Sequence, residues 1–113
     1  KPVRSAVLDF WQCDEKGQYD NTGYIYRGHQ FTDENGHYRL ITVRPGLYPG
    51  RTSHIHVKLQ GPKTHLLTTQ LYFPDLPERN FFDRFYRDDL LIQLTRSNDG
   101  WKGRFDFVIQ NME

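Results

Sequence analysis

Glycine and proline interrupt this chain at short intervals, and that punctuation limits what it can fold into. Nine glycines and six prolines occur in 113 residues. Most runs between them are short and apolar or alternating, a pattern that favours β-strands over helices. We predict an all-β, single-domain β-sandwich with irregular loops and at most one short helix. The predicted strands span residues 6–11, 24–28, 38–43, 54–59, 67–73 and 105–109, with a turn at 33–36 and the helix at 78–91.

Length and charge narrow the class of protein. We treat residues 1–113 as one domain, with a longer native N-terminus left open. The net charge is +1, and positive and negative residues are intermixed, so the sequence shows no basic patch that would bind nucleic acid or an anionic membrane. The single cysteine, Cys13, excludes an intrachain disulfide and is expected to be a small buried residue. No signal-peptide pattern is present, but its absence says little about the compartment. The location is left as unknown, with the cytoplasm slightly favoured and a secreted form open if an N-terminal segment was removed.

Residues 51–56 carry the densest chemical signal. His54 and His56 are two positions apart in a predicted strand, so their side chains share one face, while Ile55 and Val57 share the apolar face. Two imidazoles at this spacing form a bidentate half of a metal site. A His-x-His pair also fits ordinary surface or hydrogen-bonded histidines, so the pattern by itself leaves both interpretations open.

The next predicted strand extends the histidine face. If it returns antiparallel with Val57 opposite Thr69, the apolar faces of the two strands match, as register selection requires. Gln70 then stands on the histidine face and not in the core. The same register pairs Ile55 with Leu71, Leu59 with Leu67, His56 with Gln70 and His54 with Tyr72.

Tyrosines are the other candidate ligands. Tyr48 lies in an irregular loop stiffened by glycine and proline, and Tyr19 follows a Gly-Gln turn. A phenolate is a hard anionic donor that suits iron(III), and a bound cation would keep it ionised at neutral pH. A zinc hydrolase would need a general base, usually Glu, and none stands beside the histidine pair. The residues therefore allow an iron(III) site with two tyrosines and two histidines without requiring it, and for Tyr19 alone a packing role is the default.

Several stretches together carry a resemblance to a known family. They are VLDFWQCD with GQY at 7–14 and 17–19, RGHQ at 27–30, TDENGHY at 32–38, RPGLYP at 44–49, RTSHIHV at 51–57 and LTTQLYF at 67–73. Residues 2–73 thereby resemble the intradiol ring-cleavage dioxygenases, which include the catechol 1,2-dioxygenases and the protocatechuate 3,4-dioxygenases. The stretches at 32–38 and 44–49 also resemble a hairpin of non-catalytic transthyretin-like modules. The specific part is the His-x-His strand with Arg51, Gln70 and both tyrosines.

The resemblance implies a site and a reaction. Tyr19, Tyr48, His54 and His56 would bind one mononuclear, non-haem iron(III), with Tyr48 and His56 as the axial pair. Arg51 and Gln70 would line the substrate ring and stabilise developing negative charge, and Tyr48 would also serve as an internal base. The implied activity is cleavage of a catechol-type ring by O2 to a muconate-type diacid. The expected partners are a catecholic small molecule and O2, with no nucleic acid or membrane, and the oligomeric state is not predicted.

Alternatives remain at this stage. A non-catalytic β-sandwich binding module would keep the scaffold without turnover, although the complete set of four ligands argues against it. Catechol, hydroxyquinol and protocatechuate all stay open as substrates. Other residues receive no ligand or catalytic role. His29, His37 and His65 are expected at the surface or in turns, and Trp11 and Trp101 as core or lid aromatics. Core packing is expected of the set Phe81, Phe82, Arg84 and Phe85, with a cap over the pocket as the alternative.

Overall fold

The computed structural model describes residues 2–18, 27–47, 50–98 and 100–112, and it confirms a mostly β architecture. Six strands and one helix of a single turn and a half are formed there, together with a short 3-10 turn at Asp88–Leu90. The elements are β1 Val7–Trp11, β2 Arg27–Phe31, β3 His54–Gln60, β4 Leu67–Tyr72, α1 Pro77–Phe82, β5 Gln93–Ser97 and β6 Gly100–Arg104. In these ranges no helix has the length and apolar character to cross a membrane.

One four-stranded antiparallel sheet organises the molecule. Its strand order is β2-β1-β3-β4, so β3 lies inside the sheet with a partner on each side. Strands β5 and β6 form a separate antiparallel hairpin. Strand β1 is likewise paired on both edges. Because β3 is hydrogen-bonded on both sides, its backbone is constrained and is a rigid base for side chains.

The core lies against one face of this sheet. Strand β3 alternates as predicted, with Val57 fully buried on the core face and Lys58 exposed on the other. Tyr38 and three hydrophobic residues of the segment 105–109 (Phe105, Phe107 and Ile109) also pack against the buried cluster. The buried core residues are Leu8, Phe10, Ile55, Val57, Leu59, Leu71, Phe73 and Ile92.

The predicted pairing of β3 with β4 is confirmed at every position. Val57 lies opposite Thr69, and His56 lies opposite Gln70. A slip of one residue would have turned the apolar side chains of β4 to the wrong face, which is why the alternation alone selected this register. The predicted turn at 33–36 is also present, closed by the Gly36 N–H donating to the Asp33 carbonyl at 3.0 Å.

Two predicted strands are wrong. Segments 38–43 and 105–109 run without ladder pairing among the described residues, although both have strand-like sequences. They are linked instead by a side chain, because the Tyr38 hydroxyl donates to the Phe105 carbonyl at 2.5 Å. Strand β2 overlaps the predicted 24–28, of which 24–26 lie outside the described residues.

The predicted helix is too long. Helix α1 ends at Phe82, and Asp83 is already in extended conformation, with φ −83° and ψ 119°. Its apolar residues do not face the core, since Phe81 is 79 % exposed and Phe82 82 % exposed, so their predicted core packing is wrong. The one buried residue of the helix is Asn80.

Candidate active site

His54 and His56 lie side by side on the polar face of β3. Their Nε2 atoms are 3.2 Å apart, with the ring planes 80° from one another. His54 is only 2 % exposed and His56 is partly buried. Burial therefore excludes a pair of exposed surface histidines, and it leaves hydrogen-bonded histidines and a metal site as the two interpretations of the His-x-His pattern.

The His54 ring is oriented by the chain just before it. Its Nδ1 atom lies 2.7 Å from the Thr52 carbonyl oxygen. Because a carbonyl oxygen only accepts, Nδ1 carries the proton, and Nε2 is the acceptor nitrogen of the neutral ring. Histidines that bind metals through Nε2 usually donate their other nitrogen in this way.

His56 is oriented by an aromatic plane. The Trp11 indole stacks on it at 4.9 Å between ring centroids and 1° between planes, which follows from the pairing of Trp11 with His56 across β1 and β3. Burial, and next the neighbouring His54 and Arg51, lower the pKa of His56 to about 4. Burial also lowers the pKa of His54. Both imidazoles are thus held in the neutral form that a metal requires.

Arg51 and Gln70, the two predicted substrate-lining residues, are in direct contact. The Arg51 Nη2 group donates to Gln70 Oε1, and it also reaches the Tyr72 hydroxyl at 3.4 Å. The Tyr72 hydroxyl is 3.0 Å from Gln70 Oε1 and 3.0 Å from the Phe85 carbonyl. Burial, and next the charge of Asp83, raise the pKa of Tyr72, so this phenol stays a neutral hydrogen-bond donor.

The guanidinium of Arg51 has a second anchor on its other edge. Its Nε–H donates to Asp83 Oδ2 at 2.8 Å, and its carbon lies 4.7 Å from the centre of the Phe85 ring. Burial alone would raise the pKa of Asp83, but the hydrogen bonds from Arg51 and from two backbone amides hold it below its ordinary value. A cation is therefore fixed beside the histidine pair by a charged partner.

Tyr19 and Tyr48 lie outside the described residues, so their ligand roles stay predictions. The segments leading to them are joined, however. The Gly46 N–H donates to the Asp14 carbonyl at 2.8 Å, and the Asp14 N–H donates to the Gln18 carbonyl at 2.8 Å. Gly46 is required there, because a Cβ would meet the Glu15 carbonyl oxygen at 2.4 Å. The backbone thus brings the residues just before the two tyrosines into one contact region.

The sequence predicted no site role for Thr52 and Asp83, and it assigned Trp11 and Phe85 only to core packing or to a cover over the pocket. The stacking of Trp11 could have been found by extending the register argument from β3 to β1, since both strands alternate. No sequence pattern marked Asp83 as a site residue. It lies 32 residues after Arg51 and outside the strands, so no register argument relates the two. Its role depends on tertiary packing alone.

The described part of the site fits a metal ion. Two nitrogen ligands at right angles, each with a bond of about 2.1 Å, are about 3 Å apart, and the two Nε2 atoms are separated by 3.2 Å. In the described ranges, no three His, Cys, Asp or Glu side chains gather into a metal-binding group. Two neutral imidazoles with two phenolates would make the mixed nitrogen and oxygen donor set that suits a trivalent iron.

Comparison with known proteins places the chain. A profile of the dioxygenase family matches residues 1–111. The chain is 30% identical to the catechol 1,2-dioxygenase of Candida albicans, over 85% of this chain and 40% of the relative. It is 34% identical to the protocatechuate 3,4-dioxygenase beta chain of Burkholderia cepacia, over 68% of this chain and 40% of the relative. The chain therefore spans less than half the length of these curated relatives.

Solved structures agree with this placement. The dioxygenase domain of a dioxygenase and carbohydrate-binding protein fusion from Streptomyces sp. SirexAA-E superposes with a TM-score of 0.94 at 51% identity, covering 99% of this chain and 72% of that one. The 3-chlorocatechol 1,2-dioxygenase of Rhodococcus opacus 1CP superposes with a TM-score of 0.84 at 27% identity, covering 98% and 55%. The profile match, the relatives and the paired histidines beside Arg51 and Gln70 lead to one conclusion: this chain belongs to the intradiol ring-cleavage dioxygenase family.

Proposed function

We propose that this chain is the catalytic β-sandwich of an iron(III) intradiol dioxygenase, which cleaves catechol-type rings with O2 to muconate-type diacids. The observation that carries the proposal is the pair of neutral imidazoles, with Nε2 atoms 3.2 Å apart, next to the Arg51–Gln70 contact on one sheet face. Family membership makes iron the metal to test first, since Tyr and His ligation of ferric ion is the family's arrangement.

Four residues are proposed as the ligands. His54 and His56 supply their Nε2 nitrogens, and Tyr19 and Tyr48 supply phenolate oxygens. When bound, a ferric ion withdraws electron density from a chelated catecholate and makes a ring carbon reactive towards O2. Two phenolates and one hydroxide balance the charge of iron(III), so no net charge need be buried with the site.

The chain's own groups do the remaining work. Tyr48 is proposed to accept one catechol proton and the hydroxide to accept the other as the substrate binds. Tyr19 and the catecholate dianion would then balance the ferric charge. The Arg51 guanidinium, fixed by Gln70, faces the region where negative charge develops on the ring. A preorganised donor of this kind is worth about 2.7–4 kcal/mol in related oxyanion sites. Burial of His54, which is 2 % exposed, keeps bulk water from the rear of the site.

The relatives define the substrate class to be tested. Their names specify catechol, protocatechuate, hydroxyquinol and chlorocatechol as the compounds that those proteins act on. All four share adjacent hydroxyl groups on one aromatic ring. We therefore propose a substrate with that chelating pair, and we leave the ring substituents to experiment.

One experiment tests the function directly. The iron-reconstituted chain is supplied with each of the four compounds, and O2 uptake and product mass are recorded together. We expect one O2 consumed per ring, with both of its oxygen atoms in a diacid product. His56→Ala should abolish the uptake, and His65→Ala, a change at an exposed histidine, should leave it intact.

The same protein also tests the ligands. A tyrosinate-to-iron(III) charge-transfer band should colour it burgundy, and Tyr48→Phe should shift that band. Tyr38→Phe is the control, because the Tyr38 hydroxyl bonds to Phe105 on the core side of the sheet. Fully iron-loaded protein without colour would contradict tyrosinate ligation, and tight catechol binding without O2 uptake would instead identify a binding module.

A further inference from the structure

We propose that Asp83 is the positioning residue of this site and that its one carboxylate directs both the Arg51 guanidinium and the His54 imidazole. The catalytic consequence of this proposal rests on the proposed function. The positioning itself rests only on the contacts of four described residues, so it can be tested in the metal-free chain.

The carboxylate of Asp83 is buried and fully engaged. The side chain is 0% exposed, and Oδ2 accepts from Arg51 Nε–H at 2.8 Å and from the Thr52 backbone N–H at 2.9 Å. Oδ1 accepts from the Phe85 backbone N–H at 2.9 Å. A buried carboxylate with three donors is held in one orientation, and it holds those donors in turn.

The first chain of contacts leads to Arg51. Asp83 takes the Nε–H, so the guanidinium presents its Nη2 group to Gln70 and Tyr72. Asp83 also fixes the Phe85 backbone, and the Phe85 ring lies 4.7 Å from the guanidinium carbon. The plane of the guanidinium is thus fixed at its edge by the Asp83 carboxylate and on its face by the Phe85 ring, whose backbone the same carboxylate holds.

The second chain of contacts leads to His54. Asp83 accepts the Thr52 N–H, and the Thr52 carbonyl accepts the His54 Nδ1–H at 2.7 Å. The Thr52 hydroxyl is in addition held by Asn80 Oδ1 at 2.7 Å. Asp83 and Asn80 therefore hold the backbone N–H and the side-chain hydroxyl of Thr52, the residue whose carbonyl sets the tautomer of His54.

A merely structural role makes a different prediction. Asp83 follows α1, and its backbone N–H donates to the Asn80 carbonyl at 3.1 Å, which ends the helix without help from the side chain. If the carboxylate only stabilised the fold, replacing it would lower the melting temperature and leave the orientation of Arg51 and His54 unchanged.

The test is Asp83→Asn, with Asp89→Asn as the matched control. Asp89 also pairs with an arginine in the same part of the chain, but that pair is exposed, at 62% for Asp89 and 70% for Arg87. In the metal-free chain, nitrogen-15 NMR reports the His54 tautomer from the ring-nitrogen chemical shifts. It also gives the rate at which the Arg51 Nε–H exchanges with solvent. Asp83→Asn should mix the tautomers and speed that exchange by about tenfold or more, and Asp89→Asn should change neither.

The iron-loaded protein gives an independent readout. Loss of a partner that orients a ligand costs about 10–100-fold in metal affinity or activity. We expect Asp83→Asn to lower kcat by that factor, with a smaller change in KM, because Arg51 acts on charge that develops after the ring has bound. Asp89→Asn should stay within about threefold of the parent in both parameters.

A failure of the positioning role can be told apart from a failure of the proposed catalytic function. If the parent chain cleaves no catechol, the NMR signals of the metal-free protein still decide the positioning role. If Asp83→Asn does not fold, Asp83→Glu keeps the charge but displaces the oxygens, and the same two signals are read. Parent-like signals of Arg51 and His54 in a folded Asp83 variant would overturn the proposal.

Discussion

Trp11 and His56 form a flat stack at the inner edge of the proposed metal site. The ring planes differ by 1°, so the indole limits rotation of the imidazole about its own axis. The pair is formed across two neighbouring strands, and its geometry follows from the register of β1 with β3. The His54 ring is oriented instead by its hydrogen bond to the Thr52 carbonyl, so stacking fixes one imidazole and hydrogen bonding fixes the other.

Replacing Trp11 by leucine should weaken iron binding. The stack is worth about 0.5–1.5 kcal/mol, which corresponds to a loss of about 2-fold to 12-fold in affinity. Competition with a chelator of known strength measures the change. Trp101→Leu is the control, because Trp101 lies on the separate β5–β6 hairpin. Unchanged affinity in Trp11→Leu would show that β3 alone fixes the His56 ring.

The connection between the turn at 14–18 and the loop at 44–47 is the clearest contact between elements near the site. It depends on Gly46, where an added methyl group would overlap the Glu15 carbonyl oxygen and, at 2.6 Å, the Gly17 nitrogen. Both are backbone atoms, so no side chain can rotate away to make room. Gly28 in β2 differs, since an added Cβ there meets nothing within 4 Å.

Gly46→Ala should therefore separate the two segments. We expect a loss of about 1–3 kcal/mol in the free energy of unfolding, and a weaker charge-transfer band on iron loading because Tyr19 and Tyr48 directly follow these segments. Gly28→Ala makes the same chemical change and should leave both properties close to those of the parent. Denaturant unfolding and visible absorption are the measurements, and a Gly46→Ala protein with parent-like values would contradict this account.

Much of the sheet was predictable because the alternation of polar and apolar residues determines which face of the sheet each side chain occupies. In β3 the polar and apolar positions alternate, and Leu67 and Leu71 mark the apolar face of β4. The register, and with it the place of Gln70 beside His56, therefore followed from the sequence. The β5–β6 hairpin was not predicted. Every residue of β6 is exposed, so no apolar period marks it as a strand.

The positions of the candidate site residues were predictable only where those residues lie in predicted strands. His54, His56 and Gln70 are strand residues, and a period of two places them. Arg51 was assigned through the family resemblance, and its contact with Asp83 joins segments 32 residues apart with no repeating pattern between them. Pairings of this kind are set by how elements pack, which a single sequence does not encode locally.

At the scale of the whole molecule, iron should stabilise the fold. A ligand that binds only the folded state at a hundred times its Kd adds about 2.7 kcal/mol, which corresponds to a rise of roughly 10 °C in Tm for a chain this size. Thermal unfolding with and without ferric ion measures it, and a chelator should reverse it. His54→Ala should abolish the rise, and His65→Ala should retain it. An equal rise in His54→Ala would place the iron elsewhere.

The distribution of site residues along the chain also affects recombination between relatives. Arg51, both histidines, Gln70 and Asp83 all fall within residues 51–85. Direct contacts join Arg51 to Asp83 and to Gln70, and His54 to His56. A chimaera that inherits this block from a single parent keeps its guanidinium and imidazoles as a matched set. Crossovers outside the block would exchange the tyrosine-bearing segments before it or residues 86–113 after it, which makes 51–85 a natural unit for shuffling substrate range.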